Sequence, residues 1–270
     1  MGMLRPAQRG GLILTVPRIY FPRIAGEGAD IELGRENLRY VKSVLRMKKG
    51  DLLTLFDGTG WEYETIIRRL STEGIVVEVT GKSVSRGRGI YLTLMQSLPK
   101  ANKMDFIVQK ATELGADRII PFHSVRSDPR ISSEKIPSKI MRWQNIAIEA
   151  ARQCGRTDIP EISGIVSFEE AILWAGMETL KMIFWEEELE RSIKQVLNDK
   201  QYEGIKDVCA VIGPEGGFTK EEVVNAGERG FVSVSLGRQV LKVETAAVAV
   251  LSIIQYEKGV FSEVFERGRT

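Results

Sequence analysis

Gly213-Pro214-Glu215-Gly216-Gly217-Phe218-Thr219 is the first of two glycine-bearing turns that set the architecture of this chain. The second, one helix length further on, is Leu236-Gly237-Arg238-Gln239-Val240-Leu241-Lys242-Val243-Glu244-Thr245-Ala246. Each turn follows a short apolar segment with the pattern of a strand and opens a helical pattern. Such turns let backbone N–H groups approach a ligand closely, and open α/β sheets bind ligands at the carboxyl ends of their strands. The pair therefore predicts a ligand-binding α/β domain.

Length and composition bound the class of protein. With 270 residues, the chain is long enough for one large domain or two modest ones. An apolar content of 43% and a charged content of 27% are typical of a globular protein. The net charge of +2 does not by itself require a polyanionic partner, because nucleic-acid binding depends on where Lys and Arg cluster.

Histidine and cysteine are scarce, which excludes several kinds of site. The one histidine, His123, excludes a histidine-rich zinc site, and Cys154 and Cys209 lie too far apart for metal-ligand spacing. We therefore expect no metal, and the low cysteine content favours a reducing compartment. No stretch of the sequence reaches the length of a membrane span, so we expect no membrane association and a cytoplasmic location.

Changes of pattern along the chain predict five segments. They are a disordered leader (1–16), a small and mostly β domain (17–80), a glycine-rich basic linker (81–89), an α/β domain (90–260) and a tail (261–270). Within the α/β domain, strand patterns are found at residues 91–96, 118–122, 181–184, 208–212 and 231–235. They alternate with amphipathic helical patterns, the longest at residues 133–153. This alternation is typical of a mostly parallel sheet with helices on both faces.

The last helix, predicted over residues 245–256, is apolar on most of its sides. A helix that is apolar all round must be buried. Two interpretations remain open at this point: the helix packs against a partner subunit, or it is enclosed within the monomer.

Further motifs accompany the two turns over nearly the whole chain. They are Pro17-Arg18-Ile19-Tyr20, Val44-Leu45-Arg46-Met47, Leu55-Phe56-Asp57-Gly58, Lys110-Ala111-Thr112-Glu113-Leu114-Gly115, Trp143-Gln144-Asn145-Ile146-Ala147 and Gln153-Cys154-Gly155-Arg156. With these motifs the chain resembles the RsmE family, SPOUT-class methyltransferases that use S-adenosylmethionine to methylate N3 of a uridine in small-subunit (16S) ribosomal RNA. The resemblance implies a PUA-like RNA-binding barrel, a C-terminal trefoil knot, and a homodimer that acts on an assembled or assembling subunit.

The resemblance also implies which residues bind S-adenosylmethionine. The glycines would allow close backbone approach, and apolar residues of the second turn would surround the adenine. The predicted set is Trp185, Gly213, Pro214, Glu215, Gly216, Gly217, Leu236, Gly237, Val240, Leu241 and Thr245. Simple packing remains the alternative for Trp185. Stabilisation of a helix N-terminus remains the alternative for Glu215 and Thr245.

Methylation of uridine N3 needs particular help, because this nitrogen carries a proton at neutral pH. An enzyme must assist its removal or stabilise the charge that develops on the flanking carbonyl oxygens. Lys242 and Glu244 are the predicted catalytic residues, with helix capping as the alternative for Glu244. Members of the family usually carry arginine where this chain has Gln239 and Lys242, which leaves open which side chain activates the uridine.

RNA contacts are expected from clustered cations rather than from net charge. The predicted residues are Arg18, Arg23, Arg46, Lys103, Lys110, Arg126, Arg152 and Arg156. A flipped-out base is expected, since N3 is hidden in a paired uridine. Two other functions remain open: a SPOUT methyltransferase acting on a ribose 2′-hydroxyl or a transfer-RNA base, and a non-catalytic RNA-binding protein that kept the fold.

Overall fold

The computed structural model of the protein describes residues 16–84, 89–127, 131–177 and 179–259. The chain divides into two compact units, Met1–Ser85 and Arg86–Thr270. The predicted tail, residues 1–15 of the predicted leader and residues 85–88 of the predicted linker lie outside the described residues.

The first unit is built on a five-stranded sheet. Its elements are β1 (Arg18–Tyr20), β2 (Asp30–Leu33), α1 (Arg35–Arg39) followed by a π-helical turn (Tyr40–Val44), β3 (Leu52–Phe56), β4 (Trp61–Leu70) and β5 (Ile75–Val84). In the strand order β1-β3-β4-β5-β2, β1 pairs parallel with β3 and the remaining neighbours pair antiparallel. Alternating apolar residues of these strands enclose one core. The mostly β character predicted from the sequence is thus confirmed.

β5 extends further than its sequence indicates. Gly81 to Val84, which composition places in the linker, continue the strand, and Val84 pairs with Trp61 of β4. The cause is the neighbouring strand, because β4 is ten residues long and offers a ladder to a segment with little β propensity of its own. A register shift between Glu64 and Thr65 marks a β-bulge in this part of the ladder.

The second unit alternates strands and helices. Its elements are β6 (Tyr91–Ser97), α2 (Lys103–Glu113), β7 (Arg118–His123), α3 (Ile136–Cys154), β8 (Glu161–Ile162), β9 (Val166–Ser167), α4 (Phe168–Leu173), β10 (Thr179–Phe184), α5 (Ile193–Leu197), β11 (Asp207–Ile212), α6 (Lys220–Glu228), β12 (Val232–Val234) and α7 (Val243–Glu257). The strand order is β12-β10-β11-β6-β7-β8, with β9 also on β7, and these pairs are parallel. The predicted α/β class with a mostly parallel sheet is confirmed, whereas the knot stays a prediction.

Three adjacent strands, β12, β10 and β11, end level with one another. Phe184, the last residue of β10, pairs with Ile212 on one side and with Val234 on the other. Because all three strands are parallel, the segments that follow them emerge side by side at the same edge of the sheet. This register brings together the two glycine-bearing turns, which a helix and a strand separate in sequence.

α7 buries one of its faces within its own unit. The residues of that face are Val243, Ala247, Val250, Leu251 and Ile254, each no more than 5% exposed. The helix packs against α2 and β11. Its opposite side is partly exposed, and Tyr256 is 71% exposed. Enclosure within the monomer therefore accounts for one face of this apolar helix and leaves the other to solvent or a partner.

Membrane-spanning helices and clusters of metal ligands are absent from the ranges that the structure describes. In these ranges no helix is both long and apolar enough to cross a membrane, and no three His, Cys, Asp or Glu side chains are grouped as metal ligands. Cys154 is exposed and Cys209 is buried, both as free thiols. Burial raises the pKa of the Cys209 thiol to about 12, so this side chain behaves as a small apolar residue.

Candidate functional site

A pocket opens where β10, β11 and β12 end. Its walls are the two glycine-bearing turns and the residues that follow β10. The empty space between these walls is about 700 Å³, a figure that includes the open mouth of the pocket. The lining residues are Phe184, Trp185, Glu186, Ile212, Gly213, Pro214, Gly217, Phe218, Val234, Ser235, Leu236, Gly237, Arg238, Gln239, Val240, Leu241, Val243 and Ala246.

Two of the lining glycines adopt backbone conformations that favour glycine. Gly217 has φ +67° and Gly237 has φ +107°. At Gly217 an added Cβ would also lie 2.7 Å from Oε1 of Glu186. At Gly213 a side chain is disfavoured by a different neighbour, because an added Cβ would lie 3.1 Å from the ring of Phe218. The sequence of the first turn is thus fitted to bring main chain, rather than side chain, up to the pocket.

Some N–H groups of the lining residues have no hydrogen-bond partner among the described residues. The indole Nε1 of Trp185 is buried and has no hydrogen-bond partner among the described residues. Across the same ranges, the backbone N–H groups of Val240 and Leu241 donate to no backbone carbonyl. An apolar slot with a few unused donors fits a flat heteroaromatic ring whose edge carries acceptor atoms.

The first glycine-bearing turn ends at Thr219, which is the N-cap residue of α6. Thr219 caps the helix by accepting from the N–H of Glu222, whose carboxylate accepts in return from the N–H of Thr219 at 2.8 Å. The same carboxylate, only 4% exposed as a residue, accepts from the N–H of Val125 at 2.9 Å. One buried glutamate therefore ties the turn to the segment that follows β7.

The glutamates of the two turns meet at a lysine. Nζ of Lys103 lies 2.7 Å from Oε1 of Glu215 and 3.6 Å from Oε2 of Glu244. Glu215 also accepts from the N–H of Lys100 at 3.2 Å. Partial burial raises the pKa of Glu215, but the bonds from Lys103 and Lys100 outweigh it and bring this pKa below the ordinary value. The bond to Glu215 likewise raises the pKa of Lys103.

Some predicted site residues lie outside the pocket wall. Glu215, Gly216 and Thr245 are not lining residues, and Thr245 is exposed in the first turn of α7. Lys242 is the N-cap residue of α7, with no side-chain capping bond. Its exposed ammonium forms no ion pair with any residue that the structure describes. Lys242 therefore stands beside the pocket mouth, directly after lining residue Leu241, with its charge available.

Two protein-family profiles match this chain. The profile of a family described as an RNA methyltransferase domain matches residues 88–255, and that of an RNA methyltransferase PUA domain matches residues 33–80. A relative from Buchnera aphidicola, named ribosomal RNA small subunit methyltransferase E, is 30% identical over 90% of this chain and 97% of its own. The protein of the same name from Bacillus subtilis is 30% identical over 86% and 91%. The chain belongs to the ribosomal RNA small subunit methyltransferase E family.

Solved structures place the same fold around a cofactor in relatives of this family. The enzyme of that name from Neisseria gonorrhoeae, bound to S-adenosyl methionine, is 29% identical, with a TM-score of 0.81 over 90% of this chain and 98% of its own. A methyltransferase from Legionella pneumophila, in complex with the same cofactor, is 34% identical, with a TM-score of 0.80 over 90% and 98%. The family resemblance that the sequence motifs indicated is confirmed.

Several cations predicted to bind RNA are engaged inside the protein. Arg156 has a side chain only 10% exposed and donates to the carbonyls of Thr112 and Ala116 at 2.6 and 2.8 Å, and to Asp158. Arg18 pairs with Glu62 and has a side chain 18% exposed. The environment of both arginines indicates a structural role in this family member.

The other predicted cations are more accessible. Arg23 and Arg46 are exposed on the first unit, and Arg46 adopts φ +54°. On the second unit, Lys110 pairs with Glu113 and Arg152 pairs with Glu149, each along its own helix. Such partly exposed pairs along one helix are weak and can be exchanged for phosphate contacts.

Sequence reasoning missed part of the pocket wall. Phe184, Ile212 and Val234 line it as the last residues of their strands, a signal that the strand predictions already contained. Arg238, Gln239, Val243 and Ala246 lie within the second quoted stretch. Phe218 also lines the pocket, and it is 2% exposed and stacks with Phe122.

Proposed function

We propose that this protein transfers a methyl group from S-adenosylmethionine to N3 of a uridine in small-subunit (16S) ribosomal RNA. One observation carries the proposal: the two glycine-bearing turns together form the wall of one pocket, and the apolar lining and close main-chain approach of that pocket suit the cofactor. The relatives are named for methylation of this RNA, and two related structures hold this cofactor.

The adenine is expected in the apolar part of the pocket, against Leu236, Val240 and Leu241. Unused N–H donors there, together with the indole of Trp185, would bind the acceptor atoms of the ring. Gly217 and Gly237 let the main chain reach the rest of the molecule, because no side chain intervenes. Glu215, Gly216 and Thr245 do not line the pocket, and they would act by stabilising the conformation of the two turns.

When bound, the cofactor supplies a methyl group on a sulfonium, which needs neither a metal nor a covalent enzyme intermediate. The protein must align the uridine with that group and favour loss of the N3 proton. The ammonium of Lys242 has no ion-pair partner among the described residues and lies directly after the pocket wall, where it would stabilise the negative charge that develops on a uridine carbonyl oxygen. Glu244 lies two residues after Lys242, and its Oε2 lies 3.6 Å from Nζ of Lys103.

The proposal extends to the partners of the protein. The outward side of α7, with Tyr256 exposed and Ala249 half-buried, supports a homodimer formed through this helix. Accessible cations on both units, such as Arg23 and Arg152, would contact ribosomal RNA in an assembled or assembling subunit. A ribosomal substrate places the reaction in the cytoplasm.

The test is reconstitution with defined substrates. Small subunits and free 16S RNA, prepared from cells that lack the protein, would be incubated with purified enzyme and S-adenosylmethionine. Mass-spectrometric mapping should then find one new methyl group on N3 of one uridine. A methyl group on a ribose 2′-hydroxyl, or methylation of transfer RNA alone, would replace the proposed acceptor, and RNA binding without any methylation would contradict the enzymatic function.

A further inference from the structure

The ammonium of Lys103 joins the two turns that wall the pocket. Lys103 is the first residue of α2. Its Nζ lies 2.7 Å from Oε1 of Glu215, in the first glycine-bearing turn, and 3.6 Å from Oε2 of Glu244, near the N-terminus of α7. Three segments that are far apart in sequence therefore meet at one cation. None of the three residues lines the pocket itself.

The contacts are more extensive than those of an ordinary surface ion pair. Glu215 accepts from the N–H of Lys100 as well, so one donor of the β6–α2 loop and one at the start of α2 bind the same carboxylate. The side chains of Lys103, Glu215 and Glu244 are 33%, 25% and 25% exposed. Oε2 of Glu244 is buried and forms no hydrogen bond with a described residue, which leaves Lys103 as the cation beside it.

The positive charge of Lys103 is needed to keep the carboxylates of Glu215 and Glu244 close to each other. Two carboxylates held near one point repel each other, and the repulsion grows where water is partly excluded. A cation between them reverses the sign of the interaction. The hydrogen bond to Glu215 raises the pKa of Lys103, so the ammonium is retained throughout the neutral range.

We propose that Lys103 is a positioning residue that holds the first turn and the start of α7 in the arrangement that forms the pocket. Gly213 and Gly217, on either side of Glu215, line the pocket, as do Val243 and Ala246 around Glu244. Without the cation the two walls separate, and a smaller fraction of the protein is competent to bind the cofactor. The measured dissociation constant rises in inverse proportion to that fraction.

This inference rests on the proposed function for one of its readouts, so a readout without ligand comes first. Hydrogen exchange would be measured by mass spectrometry on peptides that cover residues 213–217 and 241–246 of the ligand-free protein. Lys103→Met should speed exchange in both peptides, and Lys103→Arg should restore most of the protection. The matched control is Arg142→Gln, which removes another cross-helix ion pair, Arg142 to Asp105 at 2.6 Å, away from both turns.

The second readout is binding of S-adenosylmethionine by calorimetry. Lys103→Met should weaken it by about threefold to tenfold, as expected for loss of a small ion-pair network, while Lys103→Arg and Arg142→Gln stay near the wild type. At saturating cofactor the methylation rate of Lys103→Met should recover, so KM for the cofactor rises and kcat is nearly unchanged.

A double-mutant cycle completes the test. Glu215→Gln alone should weaken binding, but added to Lys103→Met it should cost little more, because the two residues act as one unit. Additive losses of affinity in the double mutant would overturn the positioning role. So would a folded Lys103→Met protein that keeps wild-type hydrogen exchange and cofactor affinity but binds RNA more weakly. If the wild type binds no cofactor while exchange responds as described, the proposed function fails and the positioning role stands.

Discussion

Arg126 lies directly against Gly216 in the first turn. Its Nη1 donates to the Gly216 carbonyl at 3.0 Å, and a Cβ added at Gly216 would come within 3.2 Å of the Arg126 Cβ. Gly216 does not line the pocket, whereas Gly217 does. The two glycines are therefore required for different reasons: Gly216 leaves room for an arginine, and Gly217 leaves room for a ligand and adopts a conformation that disfavours a side chain.

Alanine substitutions at Gly216 and Gly217 should differ in their effects on stability and on cofactor binding. Gly217→Ala should lower the free energy of unfolding by about 1–2 kcal/mol, because φ is positive. It should also abolish most cofactor binding, because the new Cβ would displace the carboxylate of Glu186, another residue of the pocket wall. Gly216→Ala should be milder, since Arg126 has to shift only slightly, and Gly216→Val should be worse. Gly227→Ala, in open space within α6, is the control and should stabilise by about 0.5–1 kcal/mol. Urea unfolding and calorimetry give both quantities, and equal binding by the two alanine variants would contradict this assignment.

Arg156→Ala should destabilise the fold rather than act on RNA directly. The guanidinium is nearly buried and bonds two carbonyls at the end of α2, so its loss should cost about 2–4 kcal/mol in urea unfolding. Arg23→Ala, at an exposed position, should leave stability unchanged and weaken RNA binding with a smaller salt dependence. If folded Arg156→Ala keeps wild-type stability and loses RNA affinity, Arg156 contacts RNA after all.

The case of Arg156 shows where sequence reasoning ends. A motif can indicate that an arginine matters, but its role depends on where the chain turns. Gly155 adopts φ +87° at the end of α3 and returns the chain towards α2, which carries Arg156 onto the carbonyls of Thr112 and Ala116. The five longest strands of the second unit could be predicted because each is a local apolar run, whereas this contact depends on packing between two helices.

The candidate site divides in the same way. Gly217, Gly237 and Leu241 could be predicted because a turn after a strand has a local signature in sequence and an expected place in the sheet. The contact between Lys103 and Glu215 could not, since it spans 112 residues and requires β6 and β11 to be neighbours in the correct register. Lys103 was consequently predicted as an RNA contact, and its carboxylate partners were missed.

A dimer through α7 can be tested on its exposed side. Tyr256→Glu should weaken association because it places a charge in the proposed interface, while the free energy of unfolding at low protein concentration should change little. Val250→Glu is the contrasting variant: Val250 is fully buried in the core of its own unit, so this charge should prevent folding at any concentration. Light scattering over a range of concentrations measures the first effect, and a wild type that stays monomeric would refute the proposed interface.

Acid should release the bond that Glu215 forms with Lys103. The folded pKa of Glu215 lies below its ordinary value of 4.5, so this carboxylate stabilises the protein above that pH. The contribution is lost as pH falls through the folded pKa, because protonation then removes the charge. Glu215→Gln should therefore be less stable than the wild type near pH 7, with a difference that shrinks below about pH 4. Urea unfolding at several pH values checks the trend, and a difference that grows in acid would contradict it.

Lys242 offers the sharpest test of the chemistry. Its ammonium is unpaired among the described residues and follows directly on the pocket wall, so it is placed to stabilise charge on the uridine or to bind a neighbouring phosphate. In the first case Lys242→Ala should lower the single-turnover methylation rate at saturating RNA by about 10²–10³-fold, with cofactor affinity nearly unchanged. Lys242→Arg should keep much of the activity, because a cation remains at this position. In the second case the affinity for RNA falls and the saturated rate does not, so an unaltered rate for Lys242→Ala would exclude the catalytic role.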